Sequence, residues 1–128
     1  YNIKELNTAL NRIKLAAAFF ITIPGPKMIW QFGELGYDYS IDFNGRVGNK
    51  PIRWDYLEDV SRKNLYKTYA ALNYLKNNYE VFSTQDFLVA LSSETKLIKL
   101  SHETMNVIII GNFGLQTKSI ARTSMIPA

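Results

Sequence analysis

The sequence contains no cysteine and only one histidine, His102. Without cysteine the chain has no disulfide framework, no thiolate nucleophile and no cysteine-based metal site. His102 has no second ligand residue at a spacing typical of a zinc site, so we expect it at the surface or in a turn. These absences exclude several classes of catalytic and metal-binding protein, but they do not fix the cellular compartment.

Long hydrophobic runs are also missing. The longest apolar stretch, Leu15 to Ile23, is far shorter than the roughly 20 residues that a membrane-spanning helix needs. The chain opens with Tyr1 inside a helical pattern, without the basic segment and cleavage site of a signal peptide. We therefore expect no membrane span in this sequence, and we expect any export signal to lie upstream of it.

The formal net charge is +4, but the basic residues are not gathered as they are in nucleic-acid-binding proteins. Residues 37–60 carry three Lys or Arg and five Asp or Glu, so this segment is acidic and its flanks are basic. Nucleic-acid binders cluster Lys and Arg on one face, whereas Arg62, Lys63, Lys67 and Lys76 are scattered around a predicted helix, as solvated charges are. The sequence therefore predicts no nucleic-acid partner.

Two helices are indicated by hydrophobic periodicity. The first ends near Ile23, before two prolines that lack the backbone N–H, and the second runs from about Ser61 to Asn78 with Asp59 or Ser61 as its N-cap. Apolar residues recur in both at spacings of three and four, which places them on one buried stripe. The predicted stripes are Ile3, Leu6, Leu10, Ile13, Ala17 and Phe20, and then Leu65, Tyr69, Leu72 and Leu75.

After Tyr79 the pattern changes to short β-strands separated by turns. Their alternating and β-branched residues favour an antiparallel sheet. Because the predicted sheet is incomplete, we expect either an exposed edge or a swapped partner strand. The predicted strands are Phe87–Leu91, Lys96–Leu100, Met105–Phe113 and Lys118–Arg122.

Between the two helices, a buried-strand pattern is followed by a long irregular loop. Met28 to Phe32 is mostly apolar without alternation, as expected for a parallel strand that is covered on both faces. Glycine and asparagine then recur through residues 33–60, with a tight turn predicted at Asn44-Gly45. A loop of this length in a compact domain is typical of a functional segment. The order helix, strand, loop, helix is the repeating unit of a parallel barrel.

These segments resemble the last barrel strand and its surroundings in the α-amylase family of glycoside hydrolases, over about residues 10–80. One departure is that Phe32 stands where many relatives have glycine, two residues before the Glu that matches Glu34. The matching segments, in the family's order, are the helix ending at Ile23, the turn Pro24-Gly25-Pro26, the strand Met28 to Phe32, Glu34-Leu35-Gly36, Arg53-Trp54-Asp55 and the helix from Arg62 to Asn77.

The resemblance implies an α/β fragment of a larger enzyme. Residues 1–79 would supply the last helix, strand and helix of a (β/α)8 TIM barrel, and residues 80–128 would begin the antiparallel β-sandwich domain that follows it. The parent would hydrolyse or transfer α-glucosidic bonds of starch-like glucans with retention, and that chemistry needs no cofactor.

The catalytic residues of this family lie on earlier strands, and no matching motif occurs in this sequence. A retaining glycosidase needs two carboxyl groups roughly 5 Å apart, which a barrel supplies from the ends of several different strands. We therefore predict no catalytic residue here, and we expect the chain alone to hydrolyse nothing.

The loop carries the residue types that a sugar cleft uses, which are aromatic rings for the apolar faces of sugars and carboxylates, amides and arginine for their hydroxyls. Packing of the loop onto the barrel is the competing interpretation of its aromatic residues. For Glu34 the competing role is to accept the backbone N–H groups of the Leu35 to Tyr37 turn. The predicted substrate-binding residues are Glu34, Tyr37, Asp38, Arg53 and Trp54.

The remaining expectations concern ligands and location. Paired acids such as Asp38 with Asp42 lack the spacing of an EF-hand, so no metal site is predicted, and the resemblance leaves a requirement for Ca²⁺ in the parent open. The expected partner is an α-glucan oligosaccharide or polysaccharide, and the parent is expected to be secreted, periplasmic or at the cell surface. Two alternatives stay open: a non-catalytic carbohydrate-binding module, and a structural interaction protein that self-associates through exposed barrel surfaces.

Overall fold

A computed structural model describes residues 1–121, which form two helices and a three-stranded antiparallel sheet. The predicted combination of helices followed by antiparallel strands is confirmed. The bounds of these helices and strands fall within about two residues of the predicted ones, except that the first helix begins at Leu6, whereas the helical pattern was predicted from the first residues of the chain. The elements are α1 (Leu6–Thr22), short 3-10 helices at Gly33–Leu35 and Trp54–Glu58, α2 (Val60–Asn78), a 3-10 helix at Glu80–Ser83, and strands β1 (Phe87–Ala90), β2 (Thr95–His102) and β3 (Met105–Asn112).

The buried side of α1 differs from the predicted stripe. Leu10 and Ala17 are buried as predicted. Three other members of the stripe are exposed, namely Ile3, Leu6 and Phe20, and Phe19 and Ile21 are buried instead. The reason is that α1 packs against α2 and also against the β-sheet, so its buried surface is wider than a single stripe and turned toward the sheet at its end.

Helix α2 begins where its N-cap predicts. The carboxylate of Asp59 accepts a hydrogen bond from the backbone N–H of Arg62 at 2.9 Å. Leu65 is the one member of the predicted stripe that is fully buried, and Leu75 is exposed. The side chain that is buried beside Leu65 is Arg62, so the packing of α2 is concentrated in its N-terminal half.

The main apolar core lies between α1 and the sheet. The strands follow the order β1-β2-β3, and Ile98 and Leu100 point inward from β2 at a spacing of two. A Cβ atom added at Gly111 of β3 would lie 2.6 Å from the ring of Phe19, so glycine allows α1 to approach this strand. The buried members of this core are Phe19, Val81, Phe82, Ile98 and Leu100.

The prediction of a strand at Met28–Phe32 is wrong for this structure. Residues 28–30 are irregular, and Trp30 to Gly33 form a turn in which the Gly33 N–H donates to the Trp30 carbonyl at 2.7 Å. The backbone of Phe32 is left-handed, with φ 55°. A parallel strand needs neighbouring strands to satisfy its backbone and cover its faces. Within residues 1–121 no strand lies beside this segment, and 84% of Met28 is exposed.

The remaining predictions concern the fourth strand, His102 and membrane-spanning helices. The fourth predicted strand, Lys118–Arg122, shows no strand over its described part, and Arg122 lies outside the described residues. His102 was expected at the surface or in a turn, but it ends β2, half-buried, with Nε2 3.7 Å from the Glu80 carboxylate. None of the helices in the described part of the chain is long and apolar enough to cross a membrane, as the sequence predicts.

Candidate functional site

Arg62, in the first turn of α2, attaches the start of the long loop to that helix. Its buried guanidinium donates through Nη1 to the carbonyl oxygens of Leu35 at 3.0 Å and Gly36 at 2.5 Å. Through Nη2 it donates to Asp38 at 2.8 Å. A guanidinium presents its N–H groups in a fixed planar fork, so these three bonds define the position of the 35–38 turn against α2.

A second arginine fixes the later part of the loop. Arg53 binds Asp55 with three hydrogen bonds, from Nε to Oδ1 at 2.9 Å and to Oδ2 at 3.2 Å, and from Nη2 to Oδ2 at 2.6 Å. Its Nη1 donates to the hydroxyl of Tyr39 at 3.0 Å. Each nitrogen of this guanidinium therefore already has a partner within the protein.

Tyr56 joins the two arginine-centred groups. The Cζ atoms of Arg62 and Arg53 lie 3.7 and 4.2 Å from the centre of its ring, within the range of cation–π attraction. Its hydroxyl donates a short hydrogen bond to Asp38. We call these residues the arginine cluster; its members are Asp38, Tyr39, Arg53, Asp55, Tyr56 and Arg62.

The electrostatics of the arginine cluster keep it neutral overall at neutral pH. Partial burial would raise the pKa of Asp38, but the hydrogen bonds from Tyr56 and Arg62 outweigh it and hold that pKa below its ordinary value. The hydrogen bond from Arg53 lowers the pKa of Asp55. Burial and the neighbouring Asp38 raise the pKa of Tyr56 to about 12. The two cations and two anions of the cluster and the neutral phenol of Tyr56 line a cavity of about 470 Å³, which the carboxylate of Asp59 also lines.

A set of aromatic rings lies next to the arginine cluster. The rings of Phe32 and Trp54 meet edge to face, with centroids 4.8 Å apart and an angle of 82°. The Tyr37 hydroxyl donates to the carbonyl of Pro51 at 2.6 Å, and Gln31 donates to the same oxygen at 3.2 Å. Phe32 is buried, whereas 66% of Trp54 is exposed. Trp54 therefore packs against Phe32 on one side, and most of its remaining surface is exposed to solvent.

Glu34 lies apart from the arginine cluster. Its side chain lines a separate groove of about 390 Å³ between the 29–34 segment and α2. The role we expected for its carboxylate in the next turn is filled by a backbone group, because the N–H groups of Leu35 and Tyr37 donate to the Phe32 carbonyl at 2.9 and 3.2 Å. The left-handed backbone of Phe32 gives that carbonyl this role. The other residues along the groove are Ile29, Trp30, Gln31, Phe32, Tyr66, Tyr69, Ala70 and Asn73.

The tip of the loop is closed by Lys50. Its ammonium donates to the carbonyl oxygens of Phe43 at 2.7 Å, Gly45 at 2.6 Å and Gly48 at 3.0 Å. Asn44 and Gly45 both have positive φ, as the predicted tight turn requires. The loop therefore has a defined shape at its tip as well as at its base.

The structure brings four of the five predicted substrate-binding residues into one connected surface, with Glu34 outside it. Tyr37, Asp38, Arg53 and Trp54 are linked by ring contacts and hydrogen bonds. Sequence reasoning missed Arg62, because it was interpreted as a solvated charge on a helix. The excess of acidic residues in the 37–60 loop could have indicated this role, because an acidic loop favours pairing with a nearby arginine.

Within residues 1–121, no group of three or more histidine, aspartate or glutamate side chains is placed to hold a metal ion. Comparison with protein-family models gave no match to this chain, and a search of curated proteins gave no significant match.

Proposed function

We propose that this chain is the C-terminal part of an α-amylase-like glycoside hydrolase, and that its 33–59 loop forms part of the wall of an α-glucan cleft. In this proposal residues 1–79 complete a (β/α)8 barrel, and the antiparallel sheet belongs to the β-sandwich domain after it. The catalytic carboxylates come from other strands of the parent, so this chain binds substrate without cleaving it.

The observation that carries the proposal is the ordered surface on the loop. Arginine, carboxylate and tyrosine side chains are held together there by Arg62 and Arg53, in a segment whose regular secondary structure is limited to two short 3-10 helices. Loops that are fixed in this way on a helical scaffold are where barrel enzymes carry their binding residues. Rings beside hydroxyl-binding groups suit the alternating apolar and polar surfaces of a sugar.

The segment before the loop supports the barrel part of the proposal. Met28, Ile29 and Trp30 are apolar yet exposed, and they run beside further exposed rings of Phe20 and Tyr66. An apolar surface of this kind is typical of one that packs against another part of a protein. In the proposed parent, neighbouring parts of the barrel would cover this apolar segment.

Titration of the purified chain with maltoheptaose tests the proposal, with cellohexaose as the matched β-linked control. We expect maltoheptaose to shift the backbone amide signals of residues 33–56 in NMR spectra, weakly because the cavities are open, and cellohexaose to leave them unchanged. We also expect no release of shorter sugars from maltoheptaose above a blank. A response to both sugars or to neither would contradict α-glucan recognition, and turnover would contradict the placement of the catalytic groups.

The second candidate function is a structural interaction protein, which the exposed apolar residues 28–30 favour. Light scattering after size-exclusion chromatography distinguishes it. Reversible self-association that is abolished by Met28→Asp and Trp30→Asp, without any saccharide response, would support interaction as the function in its own right.

A further inference from the structure

A cavity of about 490 Å³ opens beside the exposed face of Trp54. This volume is within the usual range for small-ligand sites. It lies on the side of Trp54 near the loop tip, and Arg53, Asp55 and Asp38 do not line it. The lining residues are Gln31, Phe32, Asn49, Lys50, Ile52 and Trp54.

The walls of this cavity are held in place before any ligand arrives. The indole of Trp54 rests edge to face on buried Phe32, and Gln31 is fixed by its hydrogen bond to the Pro51 carbonyl. Lys50 ties together three carbonyls of the loop tip that forms the far wall. A preformed site avoids the entropy cost of ordering its side chains on binding.

The charged groups around this cavity already have hydrogen-bond partners within the protein. The ammonium of Lys50 is directed at backbone carbonyls, and both guanidinium groups of the neighbouring arginine cluster are bound to carboxylates. The groups that are available to contact a ligand are the exposed indole of Trp54 and the neutral side-chain amides of Gln31 and Asn49. This chemistry suits a neutral polyhydroxylated ring, because its C–H face can lie on the indole while its hydroxyls bond to amides.

We propose that the Trp54 face is the oligosaccharide platform of this chain, and that the arginine cluster supports the loop without contacting sugar. The inference rests on the proposed function for the class of ligand, an α-linked glucan. It assigns stacking to Trp54, hydroxyl recognition to Gln31 and Asn49, and positioning of the far wall to Lys50.

The two tryptophans of the chain provide an internal control. Trp30 is half exposed in the separate groove that contains Glu34. In the wild-type chain, we expect maltoheptaose to shift the indole N–H signal of Trp54 and to leave that of Trp30 in place. We expect Trp54→Ala to weaken binding about tenfold or more, Asn49→Ala to weaken it about threefold, and Trp30→Ala to change it less than about twofold.

The possible outcomes separate this inference from the function on which it rests. Binding of maltoheptaose that shifts Tyr39 and Tyr56 signals and is unaffected by Trp54→Ala overturns the platform and leaves the proposed function standing. A Trp54 response to cellohexaose alone supports the platform and contradicts α-glucan specificity. If neither sugar binds, both proposals fail. Because the indole signals are read in the unmodified chain, the test does not depend on folding of a variant.

Discussion

The loop region and the sheet region of this molecule are stabilised by different interactions. The 33–59 loop is attached to α2 by Arg62, and within the loop Arg53, Asp55 and Tyr56 bind its parts to one another. The sheet is attached to α1 by buried apolar side chains such as Phe19, Ile98 and Leu100. The first kind of attachment depends on pH and ionic strength, whereas the second depends mainly on buried area.

The difference shows why an irregular segment can hold a defined surface. A loop has few neighbouring backbone partners, so its carbonyl groups must be satisfied by side chains. Arg62 and Lys50 each supply several donors from one residue, and together they bind five loop carbonyls. In the sheet, β2 is paired on both sides by neighbouring strands, so its side chains Ile98 and Leu100 are free to form an apolar core.

The largest effect is expected in the sheet, from Ile98→Ala. Ile98 is fully buried, so the variant should lose about 2–5 kcal/mol of unfolding free energy through lost burial and the resulting cavity. Val89→Ala, at the paired and partly exposed position on β1, is the matched control and should cost much less. Urea denaturation measures both. Equal losses would contradict a core centred on β2.

In the loop region, Arg62→Met should cost about 2–3 kcal/mol. It keeps an apolar stem but removes every donor to Leu35, Gly36 and Asp38. The control is Arg46→Met, which breaks an exposed pair with Asp42 at 3.9 Å and should cost almost nothing. Near-UV circular dichroism, combined with urea denaturation, reports both stability and ring packing. If the two variants behave alike, the loop is not held by Arg62.

A smaller effect, about 1 kcal/mol, is expected for Asp59→Ala, because the variant loses the N-cap of α2. Asp59→Ser keeps an acceptor at this position and should recover most of the loss. Thermal unfolding followed at 222 nm measures both variants. This result shows how much of the stability of the loop region comes from the cap itself, because the cap lies on the same turn of α2 that carries Arg62. A full loss in the serine variant would show that the charge of Asp59, rather than its capping bond, is what matters.

The smallest effect is a pH dependence that belongs to the loop region. The folded pKa of Asp38 lies below its ordinary value of 3.8, so its stabilising contribution is complete above that value and is lost as the pH falls through the lowered pKa. Asp38→Asn should flatten the decline in unfolding free energy as the pH falls below 3.8. Asp42→Asn, in an exposed pair, should leave the decline unchanged. If neither variant changes the pH dependence of the unfolding free energy, the loss of stability in acid does not come from Asp38 in the arginine cluster.

Sequence patterns predicted the elements whose form is set by local periodicity. The stop at Pro24, the cap at Asp59 and the β-branched run of β3 are each encoded within a few residues, and the corresponding helices and strand occur where predicted. The inward position of Arg62 depends instead on partners 24 to 27 residues away in the chain. No short-range pattern reports such a partnership.

The same reasoning explains the error at Met28–Phe32. An apolar run without alternation predicts burial on both faces, but a strand also requires adjacent strands, and none of the strands described here pairs with it. The site was predicted in part, because residue types indicated a polar and aromatic loop. Its geometry came from Arg62, Tyr56 and Lys50, which composition alone does not single out.

Because Lys50 holds the loop tip together, it determines which chemical treatments can disrupt the loop. Rings of carbonyl oxygens in proteins commonly enclose a dissociable ion, and such loops unfold when a chelator removes it. Here the cation is tethered to the chain itself, so EDTA has nothing to extract from the loop tip. Acylation of the lysine amine would instead remove the positive charge, and the wall beside Trp54 would then lose its anchor.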